Sequence, residues 1–406
     1  MEEKKQFDVI IVGAGPAGCA AAFMLAQQNL EVVILEKGQF PRDKICGDAL
    51  SPDVMNQFLI MDEKLASDFD QLTTKKKAHS IHFFAPNHER LDVHYKNPKL
   101  DAFVAKRLDF DHFLAEQIRQ KPNVSLLENK KVKKIVVTNQ EAKVITEEDT
   151  FQAEIILGAD GAHSVVKSQL LGNKVNKKHY SAGLRQYYKN LAPLAENSGI
   201  ELHFYQEALP GYLWIFPLPN NQANVGIGML SEAVSKHQVN LKDLMQELIS
   251  THPKLKERFQ EAVPMEKPQG FGLPLGSQKV KCSGNRFLLL GDAASLIDPF
   301  TGEGIGNAIR SGRVAADHLA AAFKEKRFDA AFNQAYDKEI YRRMWSELRL
   351  SSFMQKMLRY PKLFNFIVKK ANRNESLRTL ITASLEEVDL RQQFKKPSFY
   401  LKLLFQ

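Results

Sequence analysis

Apolar and polar positions along this chain change period several times, and each change marks an element. Residues 8–18 read Asp-Val-Ile-Ile-Val-Gly-Ala-Gly-Pro-Ala-Gly, an unbroken apolar run that ends in glycines. A run without alternation predicts a strand covered on both faces, and the small residues after it predict a tight turn opening a helix. A second apolar run from Glu31 to Leu35 closes on Glu36. Residues 107–119 place Phe110, Phe113, Leu114 and Ile118 on one helical face, with Asp109 near the start. Short apolar runs at 124–127, 132–137 and 143–145, separated by polar turns, predict a β-meander. The stretch 40–52 is rich in turn formers and reads as too polar for a strand.

The middle of the chain changes character. Runs at 200–205, 212–218 and 223–230 predict an antiparallel sheet, with Pro219-Asn220-Asn221-Gln222 joining the last two as a hairpin. Asn240 is expected to cap a helix whose Leu241, Leu244, Met245, Leu248 and Ile249 form a core stripe. Leu288 to Asp292 predicts another buried strand, and a helix should start near Gly304. Beyond residue 330 the pattern is helical, broken at Pro361.

The opening segment carries the first chemistry. Strand, Gly13-Ala14-Gly15-Pro16-Ala17-Gly18, helix, second strand and terminal acid make the dinucleotide-binding βαβ unit. In that unit Gly13 makes the turn, Gly15 lets the backbone approach a pyrophosphate, and Gly18 lets helix and strand pack closely. The helix N-terminus offers N–H donors, Glu36 suits the hydroxyls of an adenosine ribose, and Lys37 lies beside it. Val9 to Ala26 is uncharged and long enough to cross a bilayer. Its three glycines and proline make a buried strand and helix the better reading, so neither a leader nor a transmembrane segment is expected.

Composition narrows the setting. With 406 residues, 44% hydrophobic and 25% charged, the chain reads as a globular protein of two lobes. Cys19, Cys46 and Cys282 are too few and too scattered for a disulfide framework or a zinc site, so no metal is expected and the cytoplasm is the default compartment. Residues 331–406 hold 15 Lys and Arg against 7 Asp and Glu, a net +8 of the chain's +9. That excess suits an anionic membrane surface, nucleic acid or a phosphorylated substrate, or simply a solvated helical face.

Three separated segments together resemble one family. The first glycine turn, Gly158-Ala159-Asp160-Gly161 and Gly291-Asp292-Ala293-Ala294 are similar to the FAD-binding fold of the para-hydroxybenzoate hydroxylase superfamily. The resemblance implies FAD as cofactor, with Asp292 on the ribityl chain and Pro299, Gly302, Gly304, Ile305 and Gly306 along the isoalloxazine. It implies Arg107 facing the cofactor and Asp160-Gly161 on the phosphate side. No second Rossmann unit is seen, so a permanently bound NAD(P) is not expected.

Two further signatures are similar to the geranylgeranyl reductases: Lys44-Ile45-Cys46-Gly47-Asp48-Ala49-Leu50-Ser51 and Gly211-Tyr212-Leu213-Trp214-Ile215-Phe216-Pro217. This resemblance implies hydride transfer from reduced flavin to a carbon–carbon double bond of an isoprenoid chain, in a prenyl diphosphate, a prenylated lipid or a quinone. It places Cys46 and Gly47 beside the flavin, with Cys46 the candidate catalytic residue. Period-2 alternation puts Tyr212, Trp214 and Phe216 on one strand face, as the candidate substrate surface. Aromatics at this spacing usually form core, and the motif is what turns that face toward a ligand. His163 and His203 are read as structural.

The expected fold is α/β with an α+β second lobe. Residues 1–75, 105–180 and 275–330 would form a discontinuous, Rossmann-like FAD-binding domain. Residues 76–104 and 181–274 would form an antiparallel-sheet substrate domain, and 331–406 a basic helical region. In that last region Phe353, Phe364, Phe366, Phe394, Phe399 and Phe405 are interleaved with Lys369, Lys370, Lys395 and Lys396. Such a pattern suits peripheral contact with a membrane, and nucleic acid is not expected because the charge is not a polar stripe. The electron donor is external: NAD(P)H, ferredoxin or a separate reductase. The rival reading is a flavin monooxygenase or halogenase on the same fold. The halogenase motif Trp-x-Trp-x-Ile-Pro is met here by Tyr212-x-Trp214-x-Phe216-Pro217, a departure.

Overall fold

The computed structural model describes residues 5–95, 101–172, 174–194, 199–375, 377–379 and 381. Phe394, Phe399, Phe405, Lys395 and Lys396, together with the rest of the expected basic tail beyond 381, lie outside the described residues.

Strand Lys5–Val12 is central to an eight-stranded sheet. It pairs in parallel with Thr150–Gly158 on one side and Val32–Leu35 on the other, so that Val9 stands between Ile155 and Val32. Val124–Leu127 extends the sheet beyond Val32–Leu35, and Phe287–Leu289 extends it beyond Thr150–Gly158, both in parallel. Val9, Ile10, Ile11, Val32, Val33 and Ile34 are fully buried, as unbroken apolar runs in a sheet covered on both faces require. Helix Pro16–Ala26 covers the sheet, and helix Ile305–Glu325 lies on it at backbone contact, Gly312 fitting against Ala17 and Ala21.

The expected meander is only partly right. Lys134–Val137, Ala142–Ile145 and Thr150–Gly158 do run antiparallel in sequence. Val124–Leu127 does not join them, because its partner is the distant Val32–Leu35. Periodicity identifies a strand and is silent on which strand it pairs with.

The second sheet also has eight strands. Tyr180–Lys189, Gln222–Leu230, Gly211–Leu218 and Ile200–His203 lie side by side, followed by Ser80–Phe84 and Arg90–His94, while Val263–Pro264 and Gln269–Pro274 pair with Tyr180–Lys189. A small third sheet corrects the reading of 40–52. Ala49–Leu50 is a strand after all, pairing with Ala102–Ala105, which also takes Lys75–Ala78. Two residues carry too little periodicity to register in sequence. Leu50 and Val104 are fully buried there, so tertiary burial makes the strand.

Helix Leu241–Thr251 starts as expected, with Asn240 accepting from the backbone N–H groups of Lys242 and Asp243. At the C-terminal side Ala330–Met357 and Pro361–Arg373 are separate helices, the second opening on its proline. Among the described residues no helix is long and apolar enough to cross a membrane.

Candidate active site

A cavity of about 740 Å³ runs from the first glycine turn to the aromatic face of the second sheet. It is lined at one end by Gly13, Gly15, Pro16, Ala17, Glu36 and Lys37, and further along by Arg107, Asp160 and Gly161. Gly13 sits at φ +99°, and a Cβ there would be 2.6 Å from the Ala159 carbonyl, so the turn demands glycine. Gly15 differs. A Cβ at Gly15 would meet no protein atom within 4 Å, so this backbone faces room for a ligand. Helix Pro16–Ala26 has no side-chain cap, which leaves its first N–H groups free for an anion.

The acid at the second strand tip is held in place. Glu36 accepts from Ala14 N–H at 2.9 Å, from Arg42 at 3.1 Å and from Gly38 N–H at 3.0 Å. Arg42 also reaches Asp111 at 2.7 Å. Arg107 is buried and pairs with the same Asp111 through two 2.7 Å bonds, and that pairing raises its proton affinity above the ordinary arginine range. Ser164 caps helix Val165–Leu171, Asp160 Oδ2 accepts from Val165 N at 2.6 Å, and Asp160 Oδ1 finds no partner among the described residues. An open glycine backbone, an uncapped helix start and an unpartnered buried oxygen fit a dinucleotide at this end.

Farther in, Cys46, Gly47, Gly291, Asp292, Pro299, Gly302, Gly304 and Ile305 line the cavity. Lys44 pairs with Asp292 at 3.1 Å, tying the cysteine loop to the strand end across the cavity. Helix Ile305–Glu325 begins here, its N-cap Gly304 offering no side-chain partner to the first N–H groups. Such a terminus favours an electron-rich ring that gains negative charge on reduction. Surrounding protein pushes the Cys46 thiol above the usual range, so it is a neutral thiol near pH 7. Cys46 and Cys282 are separate free thiols, and Cys282 is buried at 3.6 Å from the Tyr341 hydroxyl.

The aromatic face closes the far side. Tyr212, Trp214 and Phe216 all line the cavity, so one strand face serves as wall and as core together. The hairpin register sets Gly228 opposite Tyr212 and Gly226 opposite Trp214. The indole lies on Gly226 and donates its Nε1–H to Asn224 Oδ1 at 2.9 Å. Asn224 in turn donates to the Cys46 carbonyl at 2.8 Å and to Asp48 at 2.9 Å. Tyr212 donates to the Thr301 carbonyl. Ile81, Phe83, Tyr95, Ile200, Leu202 and Phe300 complete an apolar end.

Three expected site residues do not line the cavity. Ala14 contributes its N–H to Glu36 instead, and Gly18 packs against the Gly13 carbonyl and Ile11. Gly306 lies in the first turn of its helix, and a Cβ there would meet Asp53 and Glu303. His203 is structural, buried against Phe84 with ring centroids 4.2 Å apart and held by Glu201. His163 does line the cavity, beside Phe271. The residues missed in sequence are Arg42, Tyr187 and Asn224, while Asp48 stood in the cysteine signature with no role of its own. Asn224 had a signal, a lone polar residue inside an otherwise apolar run.

Comparison with known proteins agrees with this geometry. The FAD binding domain family matches residues 6–351. A digeranylgeranylglycerophospholipid reductase of Methanococcus vannielii is 29% identical over 398 residues, covering 95% of this chain and 93% of its own. A menaquinone reductase of Mycolicibacterium smegmatis is 29% identical over 327 residues, covering 77% and 76%. Among solved structures, a geranylgeranyl bacteriochlorophyll reductase-like protein of Thermoplasma acidophilum superposes with TM-score 0.80 at 21% identity, over 97% of this chain and 99% of that one. The halogenase PltM with FAD superposes at 0.75 and 19% identity, over 96% and 85%. The two superpositions establish a shared fold and do not separate the chemistries.

Proposed function

This chain belongs to the FAD binding domain family and is an FAD-dependent oxidoreductase, and on that premise we propose that it saturates carbon–carbon double bonds of an isoprenoid chain carried by a lipid, a quinone or a diphosphate. The observation that carries this reading is the continuity of one cavity from the dinucleotide turn, past Cys46 and Gly47, to an end walled by Trp214, Phe216, Phe83, Ile200 and Leu202. An elongated apolar chain suits that end, and the names of both curated relatives denote reductases of isoprenoid-bearing molecules.

Bound flavin supplies the hydride. The protein's own part is positioning and water exclusion, since an isolated alkene offers no group to polarise. Gly15 and the helix starting at Pro16 hold the pyrophosphate, Glu36 the ribose, and Asp292 the polyol chain. Trp214 and Phe216 hold the alkene opposite Cys46, whose neutral thiol can give a proton to the second carbon. Each bond saturated consumes two electrons, so an external donor must return them.

The membrane-facing part of the reading is supported by helix Pro361–Arg373. Leu363 and Phe366 are exposed on it, with Lys362, Lys369 and Lys370 around them, while Val368 and Ala371 are buried on the opposite face. Phe364 packs on Phe204, 4.9 Å between centroids, so this helix backs the aromatic layer of the cavity. Apolar tips set among cations suit an anionic lipid surface.

The deciding experiment is anaerobic reaction of the reduced, FAD-loaded protein with a geranylgeranyl substrate. Flavin reoxidation matched by products heavier by pairs of hydrogens supports the proposal. Flavin that stays reduced until oxygen enters, and then gives an oxygenated product, assigns a monooxygenase.

A further inference from the structure

Asp48 is fully buried, lines the cavity and sits at φ +69°, a left-handed conformation that glycine, asparagine and aspartate adopt more readily than other residues. Its carboxylate accepts from the Tyr187 hydroxyl at 2.7 Å, from Asn224 at 2.9 Å and from the Arg107 N–H at 3.3 Å. All three donors are neutral. The charged groups around it are engaged elsewhere: the Arg107 guanidinium holds Asp111, and Arg185 holds Asp43 and Glu266. Lys44 holds Asp292, and Lys106 lies over the Tyr187 ring. A buried carboxylate without a cation is costly to ionise.

We propose that the Asp48 carboxyl is a proton-holding site on the cavity wall, taking up one proton as the bound flavin gains its negative charge and returning it as that charge is discharged. The balance is complete. Two electrons and one proton reduce the cofactor to an anion, and a second proton converts the Asp48 carboxylate to the acid. When hydride leaves for one alkene carbon and the Cys46 thiol gives the other its proton, Asp48 returns its proton to the neighbouring Cys46 thiolate, so the cofactor and the thiol are neutral again and Asp48 is a carboxylate. Burial already pushes Asp48 up to about 6 in the absence of that charge. At an effective dielectric of about 20, a unit charge within about 8 Å raises the proton affinity of a carboxylate more than tenfold. Asp48 therefore acts as a positioning residue for a proton, and nothing requires it to touch the substrate.

The test uses the FAD-loaded full chain and no alkene, so it is independent of the reaction proposed above. The flavin midpoint potential is measured from about pH 5 to pH 8, with proton uptake on reduction counted in weak buffer. Between about pH 6 and about pH 7.5, the value to which the flavin charge would raise Asp48, the wild type should take up two protons per two electrons, a hundredfold change in the reduction equilibrium per pH unit, against tenfold outside that window and for Asp48→Asn throughout. Tyr187→Phe, which removes one bond to the carboxylate, should move the onset of the two-proton window to higher pH, and it decides the matter if Asp48→Asn fails to fold. A one-proton slope in the wild type, a two-proton slope kept by Asp48→Asn, or an unmoved onset in Tyr187→Phe overturns the proposal. A protein that shows the slope but reduces no prenyl substrate loses the reaction and keeps the Asp48 site.

Discussion

The indole Nε1–H of Trp214 donates to Oδ1 of Asn224 at 2.9 Å, and both side chains are buried. The bond fixes the rotation of the largest ring on the cavity wall. Through the other end of its amide, Asn224 ties that ring to the Cys46 carbonyl and to Asp48. One side chain thus joins the aromatic strand face to the cysteine loop, elements far apart in sequence.

Truncating that link should be expensive. Asn224→Ala leaves the indole N–H, the Cys46 carbonyl and Asp48 each short of a partner, and should cost roughly 2–4 kcal/mol. Denaturant unfolding measures the cost, and Trp214 emission in a Trp345→Phe background should shift as the ring is released. Unchanged emission would mean that packing alone holds the indole.

Two glycines on the facing strand should respond differently. A Cβ on Gly226 would overlap the Trp214 ring, whereas one on Gly228 would rest 3.6 Å from it, at ordinary contact. Gly226→Ala is expected to lose about 1–3 kcal/mol and Gly228→Ala less than about 1. Equal melting shifts in the two variants would contradict this placement of the indole.

Gly15 separates folding from cofactor binding. Because a Cβ there meets no protein atom, Gly15→Ala should melt like the wild type without cofactor, yet bind FAD at least about tenfold more weakly. Gly13→Ala, at φ +99° and against the Ala159 carbonyl, should lose stability and FAD together. Isothermal titration and thermal melts of cofactor-free protein distinguish the two.

Acid should expose a different network. Glu201 is buried and accepts two 2.7 Å bonds from Arg258 and one 3.0 Å bond from His203. Against the burial that opposes ionisation, these bonds hold its carboxyl at about 2, below the usual 4.5. A depressed carboxylate contributes stability that is complete above the unfolded value and lost as pH falls through the folded one. Glu201→Gln should therefore cost about 3 kcal/mol at neutral pH, and the gap to wild type should close between about pH 4.5 and pH 2. A gap that ignores pH would assign the loss to packing.

Helix Pro361–Arg373, proposed above to meet lipid, gives a surface prediction. Full-length protein should sediment with vesicles containing anionic lipid and release as salt is raised. Phe366→Asp and Leu363→Asp should weaken that binding at any salt, and Lys369→Glu with Lys370→Glu should weaken it by about 1 kcal/mol per charge at low salt. Equal binding to neutral vesicles would remove the electrostatic part of the reading.

The dinucleotide unit was legible from residue order, because Gly13, Gly15 and Glu36 act through local backbone geometry at fixed spacing. Unbroken apolar runs between turn signals marked the buried strands, and period 2 put Tyr212, Trp214 and Phe216 on one strand face. Which elements pair depended on long-range packing. Val124–Leu127 left the expected meander for Val32–Leu35, and Ala49–Leu50 became a strand only against Ala102–Ala105. Gly304 lines the cavity and Gly306, two residues on, does not. Tyr187 and Asn224 stand opposite each other on adjacent strands of the second sheet, and Asp48 reaches them from the cysteine loop, so this buried network has no spacing to read: its members are neighbours only once those strands have paired and the loop has docked on them.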